Sequence, residues 1–350
     1  MFETATSALR SALSAAAIVT LAGAGTAFAQ DFPELTVTLA TDDNVFNPTT
    51  SSVFQLAQDL GFFDKHEVKV NFIGLDGTPL AAAALQSGDV DVAHISIDAA
   101  IRLDAGNDLP VRGFLSVGAA IPFLIAAKSE IASLEDLEGH SFAISDIGGL
   151  DHALTQAVLR SYGLDPDLPD YVAIGAPSVR VQALAVKRVD ATTVSFGTFA
   201  AVEDTPGLHV LLPADAFAAR APALPKFLVV REDNIDAKRE ALQRFTDAVM
   251  DASREFAADP EHWIDAAVER RPDLSRDSIE KTARLNSTMW CVNGCLRPDT
   301  LKASMDFAYS NPDFSDVPVI GVDDLIDFSF TDAALEKMGV AETTGLDSRN

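Results

Sequence analysis

One order of predicted elements, strand–helix–strand–helix–strand, occurs twice in this 350-residue chain. Hydrophobic runs separated by Gly, Pro and polar turns mark six strands, at residues 35–40, 68–73, 90–95, 141–145, 171–174 and 189–194. Helical patterns of apolar residues lie between them. Strands that alternate with helices are typical of parallel sheets covered by helices. We therefore predict an α/β protein with two lobes, each built on its own sheet.

The two copies also resemble each other in sequence. Residues 84–96 and 183–195 align at a constant offset of 99, and both stretches contain Ala-Leu, Val-Asp and a final Ser. The match falls at the same place in each predicted unit. Because only two copies exist, the pattern indicates two similar lobes rather than a solenoid.

Two apolar runs suggest how the chain passes between the lobes. Residues 122–127 and 226–231 have the composition of buried strands, and we expect them to cross from one lobe to the other. This predicts a first lobe of residues 30–123 and 228–350, with C-terminal helices, and a second lobe of residues 124–227. The polar tail from Ala341 to Asn350 is expected to be loose.

The N-terminal segment has the features of a secretory signal peptide. Arg10 precedes an uncharged, Ala-rich run that ends Ala27-Phe28-Ala29, a small-x-small cleavage pattern. A membrane anchor is the alternative, but the run is short and rich in Ala and Gly. We expect residues 1–29 to be removed by cleavage after Ala29, with export of the mature protein to the periplasm.

Charge and cysteine content limit the partners and the compartment. The chain has 52 Asp and Glu against 26 Lys and Arg, a net charge of −26, which disfavours nucleic acids and anionic membranes as partners. Its two cysteines, Cys291 and Cys295, flank the turn signal Asn293-Gly294. In an oxidising compartment we expect a disulfide rather than free thiols or a metal site.

Ligands of open α/β sheets bind beyond the carboxyl ends of the strands. That rule, together with aromatic residues near strand ends and turns, selects the candidate ligand-binding residues: Asp42, Asp43, Asn44, Phe46, Ser96, Asp98, Gly148, Gly149, Asp151, His152, Ser195, Phe196 and Trp290. The backbone N–H groups of Gly148 and Gly149 could hold an anion. The loops nevertheless contain several Asp and neither Lys nor Arg, which favours a cationic, amine-bearing or neutral polar ligand.

Enzyme motifs are missing from the sequence. It has no dinucleotide fingerprint, phosphate-binding loop, nucleophile elbow or zinc-protease motif, so we expect neither cofactor nor metal nor catalytic residues.

Several short motifs, in order, resemble one known family. They are Leu60-Gly-Phe-Phe63, Ala84-Leu-Gln-Ser-Gly-Asp-Val-Asp91, Asp104-Ala-Gly106, the stretch 134–144 and Tyr162-Gly-Leu-Asp165. Together they resemble the solute-binding proteins of ABC importers, in the SsuA/THI5-like (NMT1) group for nitrate, sulfonate, taurine and thiamine-pyrimidine precursors. The resemblance implies a type II periplasmic-binding-protein fold, two α/β lobes with a cleft between them, closing by a hinge at the crossing strands.

The resemblance also implies a function and partners. We expect a monomeric, non-catalytic receptor that binds a small polar organic solute, with an amine or N-heterocycle favoured, and delivers it to an ABC permease in the inner membrane. A sulfonate- or taurine-type anion is the alternative ligand. A pyrimidine-synthase-like enzyme is the alternative function.

Overall fold

Two five-stranded sheets organise the part of the chain that the computed structural model describes, residues 32–40, 46–75, 77–221 and 223–348. The strands are β1 (Glu34–Leu39), β2 (Lys69–Gly74), β3 (Val92–Ile95), β4 (Val111–Ser116), β5 (Phe123–Lys128), β6 (Ser141–Ile144), β7 (Asp170–Ala173), β8 (Ala191–Ser195), β9 (Leu208–Leu212) and β10 (Phe227–Arg231).

Helices cover both sheets. They are α1 (Val53–Asp59), α2 (Phe62–Lys65), α3 (Thr78–Ser87), α4 (Ile97–Ile101), α5 (Leu150–Ser161), α6 (Pro177–Ala185), α7 (Phe196–Phe199), α8 (Ala214–Ala218), α9 (Glu232–Ala258), α10 (Pro260–Arg270), α11 (Arg276–Asn286), α12 (Pro298–Tyr309), α13 (Val322–Leu325) and α14 (Ser329–Met338). Within the described ranges, no helix is long and apolar enough to cross a membrane.

Both sheets have the same topology. The first has the order β2-β1-β3-β10-β4 and the second β7-β6-β8-β5-β9. In each sheet the first three strands are parallel, and the fourth pairs antiparallel with its neighbours on both sides. The predicted repeat of two α/β units is therefore confirmed, and the structure adds that the two sheets share one strand order.

The two runs predicted as crossing strands are placed differently. Residues 123–128 and 227–231 form β5 and β10, which lie inside the second and the first sheet. The crossings are shorter and come just before these strands. Val117 packs in a core of the first sheet and Ile121 in a core of the second, and the return lies between Ala221 and Leu224. An apolar run predicts burial in a strand, but it does not specify which sheet receives it.

Alternating side chains give each sheet two buried faces. In β3, Val92 and Ala93 belong to the cores on opposite faces of the first sheet, as do Leu228 and Val229 in β10. Leu124 and Ile125 of β5 divide in the same way in the second sheet. A sheet covered on both faces explains why its strands read as continuous apolar runs.

The C-terminal tail is docked, which corrects the expectation that it is loose. Cys291 and Cys295 form a disulfide. The buried carboxylate of Asp347 accepts hydrogen bonds from the backbone N–H groups of Asn293, at 2.5 Å, and Cys295, at 3.1 Å. The loop presents these donors to the tail, and pairing of buried polar groups holds the tail in place.

His94 is a buried structural histidine at the carboxyl end of β3. Its Nε2 donates to the backbone carbonyl of Lys226 at 3.0 Å. Burial, and then the nearby Lys226 charge, lower the pKa of His94 to about 3, against an ordinary value of 6.5. The imidazole is therefore neutral in the folded protein above about pH 3.

This histidine should make the protein less stable in mild acid. Below pH 6.5 the unfolded chain protonates this imidazole and the folded chain does not, so the free energy of unfolding falls as pH falls towards 3. The slope is about 1.4 kcal/mol per pH unit. Urea unfolding should show that the wild-type protein loses roughly 3 kcal/mol more than His94→Gln between neutral pH and about pH 4.5. A similar loss in both proteins would contradict this assignment; His140→Gln, at a half-exposed imidazole, is the control.

Candidate ligand-binding cleft

The carboxyl ends of the two sheets meet through a polar contact. Asn47 follows β1 in the first lobe, and its Nδ2 donates to Oγ of Ser195, at the end of β8 in the second lobe, at 3.1 Å. Ser195 also accepts a hydrogen bond from the backbone N–H of Thr198 at 3.1 Å, so it caps α7. Ser195 therefore lies where the two lobes meet, and its contact with a ligand stays a prediction.

Gly197 allows this close approach of the lobes. A Cβ at this position would lie 3.1 Å from Cγ2 of Thr49 and 3.2 Å from the backbone carbon of Pro48, and would clash with Oδ1 of Asn47. A side chain here would force the segment after β1 away from α7. Asp313 lies within 3.9 Å of the corresponding position at Gly148, so the lobes are also close at the start of α5.

Three of the candidate residues cannot be placed. Asp42, Asp43 and Asn44 lie outside the described residues. On the first lobe this leaves Phe46, Ser96 and Asp98 to consider. Ser96 is buried at the carboxyl end of β3 and precedes α4, and Asp98 lies in the first turn of α4.

Asp98 has an unsatisfied oxygen. Its Oδ1 is buried and has no hydrogen-bond partner among the residues that the structure describes. A buried carboxylate oxygen without a partner is costly, because it loses water and gains nothing in exchange. A donor from a bound molecule would remove this cost.

Asp151 has a different environment from the one predicted. Its carboxylate is buried, forms an ion pair with Arg180 of α6, and accepts hydrogen bonds from the backbone N–H of Ser145, at 2.8 Å, and from the Ser145 hydroxyl. Burial lowers the pKa of Arg180, and Asp151 acts against that shift. The charge of Asp151 is therefore neutralised inside the lobe, and Asp151 fixes the loop between β6 and α5 instead of presenting a negative charge to a ligand.

The glycines before α5 do not form an open anion site. The Gly148 N–H donates to Nδ1 of His152 at 2.9 Å, and the Gly149 N–H donates to the Asp146 carbonyl at 3.0 Å. His152 is buried, not on the helix surface, and its ring packs edge-on against Tyr171 at 4.5 Å. Burial lowers the pKa of His152, so its Nδ1 is held as the acceptor that Gly148 needs. Both backbone donors are thus used within the loop.

The predicted aromatic contacts are core residues. Phe46 and Trp290 belong to a core of the first sheet, and Phe196 belongs to a core of the second. Trp290 packs on Phe256 and Trp263, with ring centroids 5.6 and 6.2 Å apart. All three are nearly inaccessible, so none offers an open face on which a ligand could stack. Aromatic residues near strand ends can belong either to the core or to a ligand site, so their position in the sequence does not distinguish the two.

The sequence analysis did not select two cations near the strand ends, Arg180 and Lys226, because neither lies in the loops that directly follow the strands. Arg180 enters from α6, beside the buried residues Val181 and Leu184. Lys226 precedes β10, and its ammonium donates to the backbone carbonyl of Ala40, at the end of β1. A charged residue on the apolar face of a helix was the available signal for Arg180. In the described ranges, no three His, Cys, Asp or Glu side chains come together as metal ligands.

The chain can now be compared with known proteins. The family model described as NMT1/THI5 like matches residues 49–263, more than half of the chain. The protein belongs to the NMT1/THI5-like family. This confirms the family that the sequence motifs suggested.

Individual relatives agree with this assignment. A Brucella abortus (strain 2308) protein named "Putative binding protein" is 24% identical over 216 residues, 61% of this chain. The match spans 66% of that protein, just under two thirds of its length. The alkanesulfonate-binding protein SsuA from Xanthomonas axonopodis pv. citri, solved bound to MOPS, superposes with a TM-score of 0.65 at 17% identity, covering 82% of this chain and 95% of SsuA.

An enzyme has the same fold. The desulfurization enzyme DSZB superposes with a TM-score of 0.62 at 15% identity, covering 86% of this chain and 99% of the enzyme. At these identities the superpositions establish the fold, a periplasmic-binding-protein fold of two α/β lobes, and do not by themselves establish an activity.

The Asp151–Arg180 pair should be required for folding stability. Removing one partner leaves the other charge buried without compensation, so Asp151→Asn and Arg180→Met should each lower the free energy of unfolding by about 3–5 kcal/mol. The double variant should lose less than the sum of the two, as measured by urea unfolding. Asp306→Asn, in the exposed Lys302–Asp306 pair, is the control and should cost less than about 1 kcal/mol. Additive losses in the double variant would contradict a coupled pair.

Proposed function

We propose that the protein is the periplasmic solute-binding component of an ABC importer. It binds one small polar organic solute in the cleft between its two lobes, one built on β1–β4 with β10 and the other on β5–β9, and delivers it to a permease in the inner membrane. The single observation that carries the ligand assignment is the buried Oδ1 of Asp98, in the first turn of α4, which has no hydrogen-bond partner among the described residues.

The arrangement of the sheets supports closure as the mechanism. Short crossings between two sheets give a hinge, and contacts such as Asn47–Ser195 form only when the lobes are together. A solute that touches both lobes binds the closed state more tightly, and this differential affinity drives closure. The permease then distinguishes loaded from empty protein by its shape.

The ligand should contain a hydrogen-bond donor, as an amine or an N-heterocycle does. Asp98 offers an acceptor oxygen that is already desolvated, so a donor from the ligand gains its full interaction at little further cost. At the opposite edge, the backbone donors of Gly148 and Gly149 are occupied, which removes the clearest site for an anion.

A sulfonate- or taurine-type anion is the second candidate. It is supported by the relative SsuA, an alkanesulfonate-binding protein, and by Nε of Arg180, which is buried and has no hydrogen-bond partner among the described residues. In this case the guanidinium would serve both Asp151 and the ligand. A zwitterion would pair its cationic group with Asp98 and its anionic group with Arg180.

A catalytic function is less well supported than solute binding. The fold also occurs in DSZB, but this chain pairs its two cysteines in a disulfide, and its sequence has no dinucleotide fingerprint, phosphate-binding loop, nucleophile elbow or zinc-protease motif. We propose that the protein needs no cofactor and returns its ligand unchanged. We also propose that it is a monomer that does not bind nucleic acid, because its charge of −26 repels polyphosphates.

A thermal-shift screen of amines, pyrimidines, sulfonates and carboxylates would identify the ligand. A compound present at 100 times its dissociation constant should stabilise the protein by about 2.7 kcal/mol. We expect amines or N-heterocycles to raise the melting temperature. If sulfonates alone do so, the assignment to Asp98 is wrong and the second candidate replaces it.

Substitution of Asp98 then tests the contact itself. Asp98→Asn should weaken binding of the identified ligand by about 10- to 100-fold, since a hydrogen bond to a charged group is worth about 1.5–3 kcal/mol. Titration calorimetry measures this affinity. Folding stability should not fall, because this oxygen has no partner to lose among the described residues and its burial is costly. Asp146→Asn, at an exposed position before α5, is the matched control, and equal affinities in all three proteins would refute the contact.

A further inference from the structure

The segment between α11 and α12 is buried although it is neither helix nor strand. Residues 289–296 are all buried, and Cys291 and Cys295 form a disulfide within them. Connecting segments normally lie on the surface, since their backbone groups need water. Here those groups have protein partners. We call residues 288–295 the disulfide loop.

The disulfide loop holds the first crossing between the lobes. The carbonyl of Gly294 accepts from the Ser116 N–H at 3.3 Å, and the carbonyl of Met289 accepts from the Ala119 N–H at 2.9 Å. These two donors bracket the point at which the chain leaves the first sheet. The side chain of Met289 packs in a core of the second lobe. The loop therefore touches the hinge and both lobes.

The C-terminal tail closes over the other side of the loop. Besides the two bonds to Asp347, the Leu346 N–H donates to the Thr288 carbonyl at 2.8 Å. The Asn293 side chain accepts from the Ala341 N–H at 2.8 Å and donates to the Ala341 carbonyl at 3.0 Å. One loop thus pairs with the hinge on one side and with residues 341–348 on the other.

The loop is held in a conformation that it would not keep alone. Gly294 has φ +87° and Cys295 has φ +54°, the left-handed region that a residue with a side chain rarely adopts. Such conformations persist where the surroundings enforce them. The disulfide and the Asp347 carboxylate both act on this turn, so loss of either one frees the turn to relax.

We propose that the disulfide loop and residues 341–348 form a thiol-sensitive clasp that holds the hinge. Because both cysteines are buried, a dithiol reaches the bond when the loop opens locally: the dithiol gives two electrons and two protons and becomes a disulfide, while the Cys291–Cys295 bond breaks to two thiols. The turn then relaxes, Asp347 loses its aligned N–H donors, and the bonds to Ser116 and Ala119 weaken together with the tail. Reduction therefore loosens the hinge without any change in the cleft.

Hydrogen exchange read by mass spectrometry tests the clasp on the full chain. On treatment with dithiothreitol, peptides that cover residues 114–121 and 341–348 should exchange at least about tenfold faster. Peptides that cover β6 and α5, in the second lobe, should be unchanged. Faster exchange confined to residues 288–295, or equal acceleration of all peptides, would overturn the proposal.

A substitution at Asp347 tests the clasp while the disulfide stays intact. Asp347→Asn keeps the disulfide but weakens the acceptor for Asn293 and Cys295, so the oxidised variant should show faster exchange in both residues 114–121 and residues 341–348. Asp323→Asn, at an exposed aspartate of the same C-terminal region, is the matched control and should match the wild-type protein. Faster exchange in the tail alone would show that the tail is not coupled to the hinge and would also overturn the proposal.

Discussion

The two-lobed structure depends on β10, the strand that returns to the first sheet after the chain has formed the second lobe. Each sheet is completed by a strand that arrives through a crossing and pairs antiparallel inside it: β10 in the first sheet and β5 in the second. The first sheet cannot be finished until the chain has built the second lobe and come back. Two short crossings then tie the lobes side by side, and contacts such as Asn47–Ser195 bring the carboxyl ends of the parallel strands together. The cleft is a consequence of this chain path.

The two edges of the cleft differ in what they can offer a ligand. In the second lobe most polar groups satisfy one another: Arg180 neutralises Asp151, and His152 occupies the Gly148 N–H, although Nε of Arg180 has no partner among the described residues. In the first lobe Asp98 keeps an oxygen without a partner among the described residues. Polar groups that already have hydrogen-bond partners hold their edge of the cleft rigid, whereas an acceptor without a partner favours a ligand that brings a donor. Selectivity should therefore come mainly from the first lobe, and rigidity from the second.

Much of the fold could be predicted from the sequence because the periodicity of apolar residues is a local property. The strand predicted at residues 141–145, for example, is β6, Ser141–Ile144. That β5 and β10 lie between other strands of their sheets could not be predicted, since an apolar run does not specify its neighbours. The candidate site was predicted less well. The position of Asp151 after β6 predicts that it lies near the carboxyl ends of the second sheet. Only the three-dimensional structure brings Arg180, 29 residues away, against it.

The central claim is that the lobes close over a solute that is released unchanged. Small-angle X-ray scattering of the purified protein, without and with a saturating amount of the ligand from the thermal-shift screen, tests it most directly. We predict that the radius of gyration falls on binding and returns to its first value when the ligand is removed by dialysis. A radius of gyration that stays constant while calorimetry shows full binding would contradict this account.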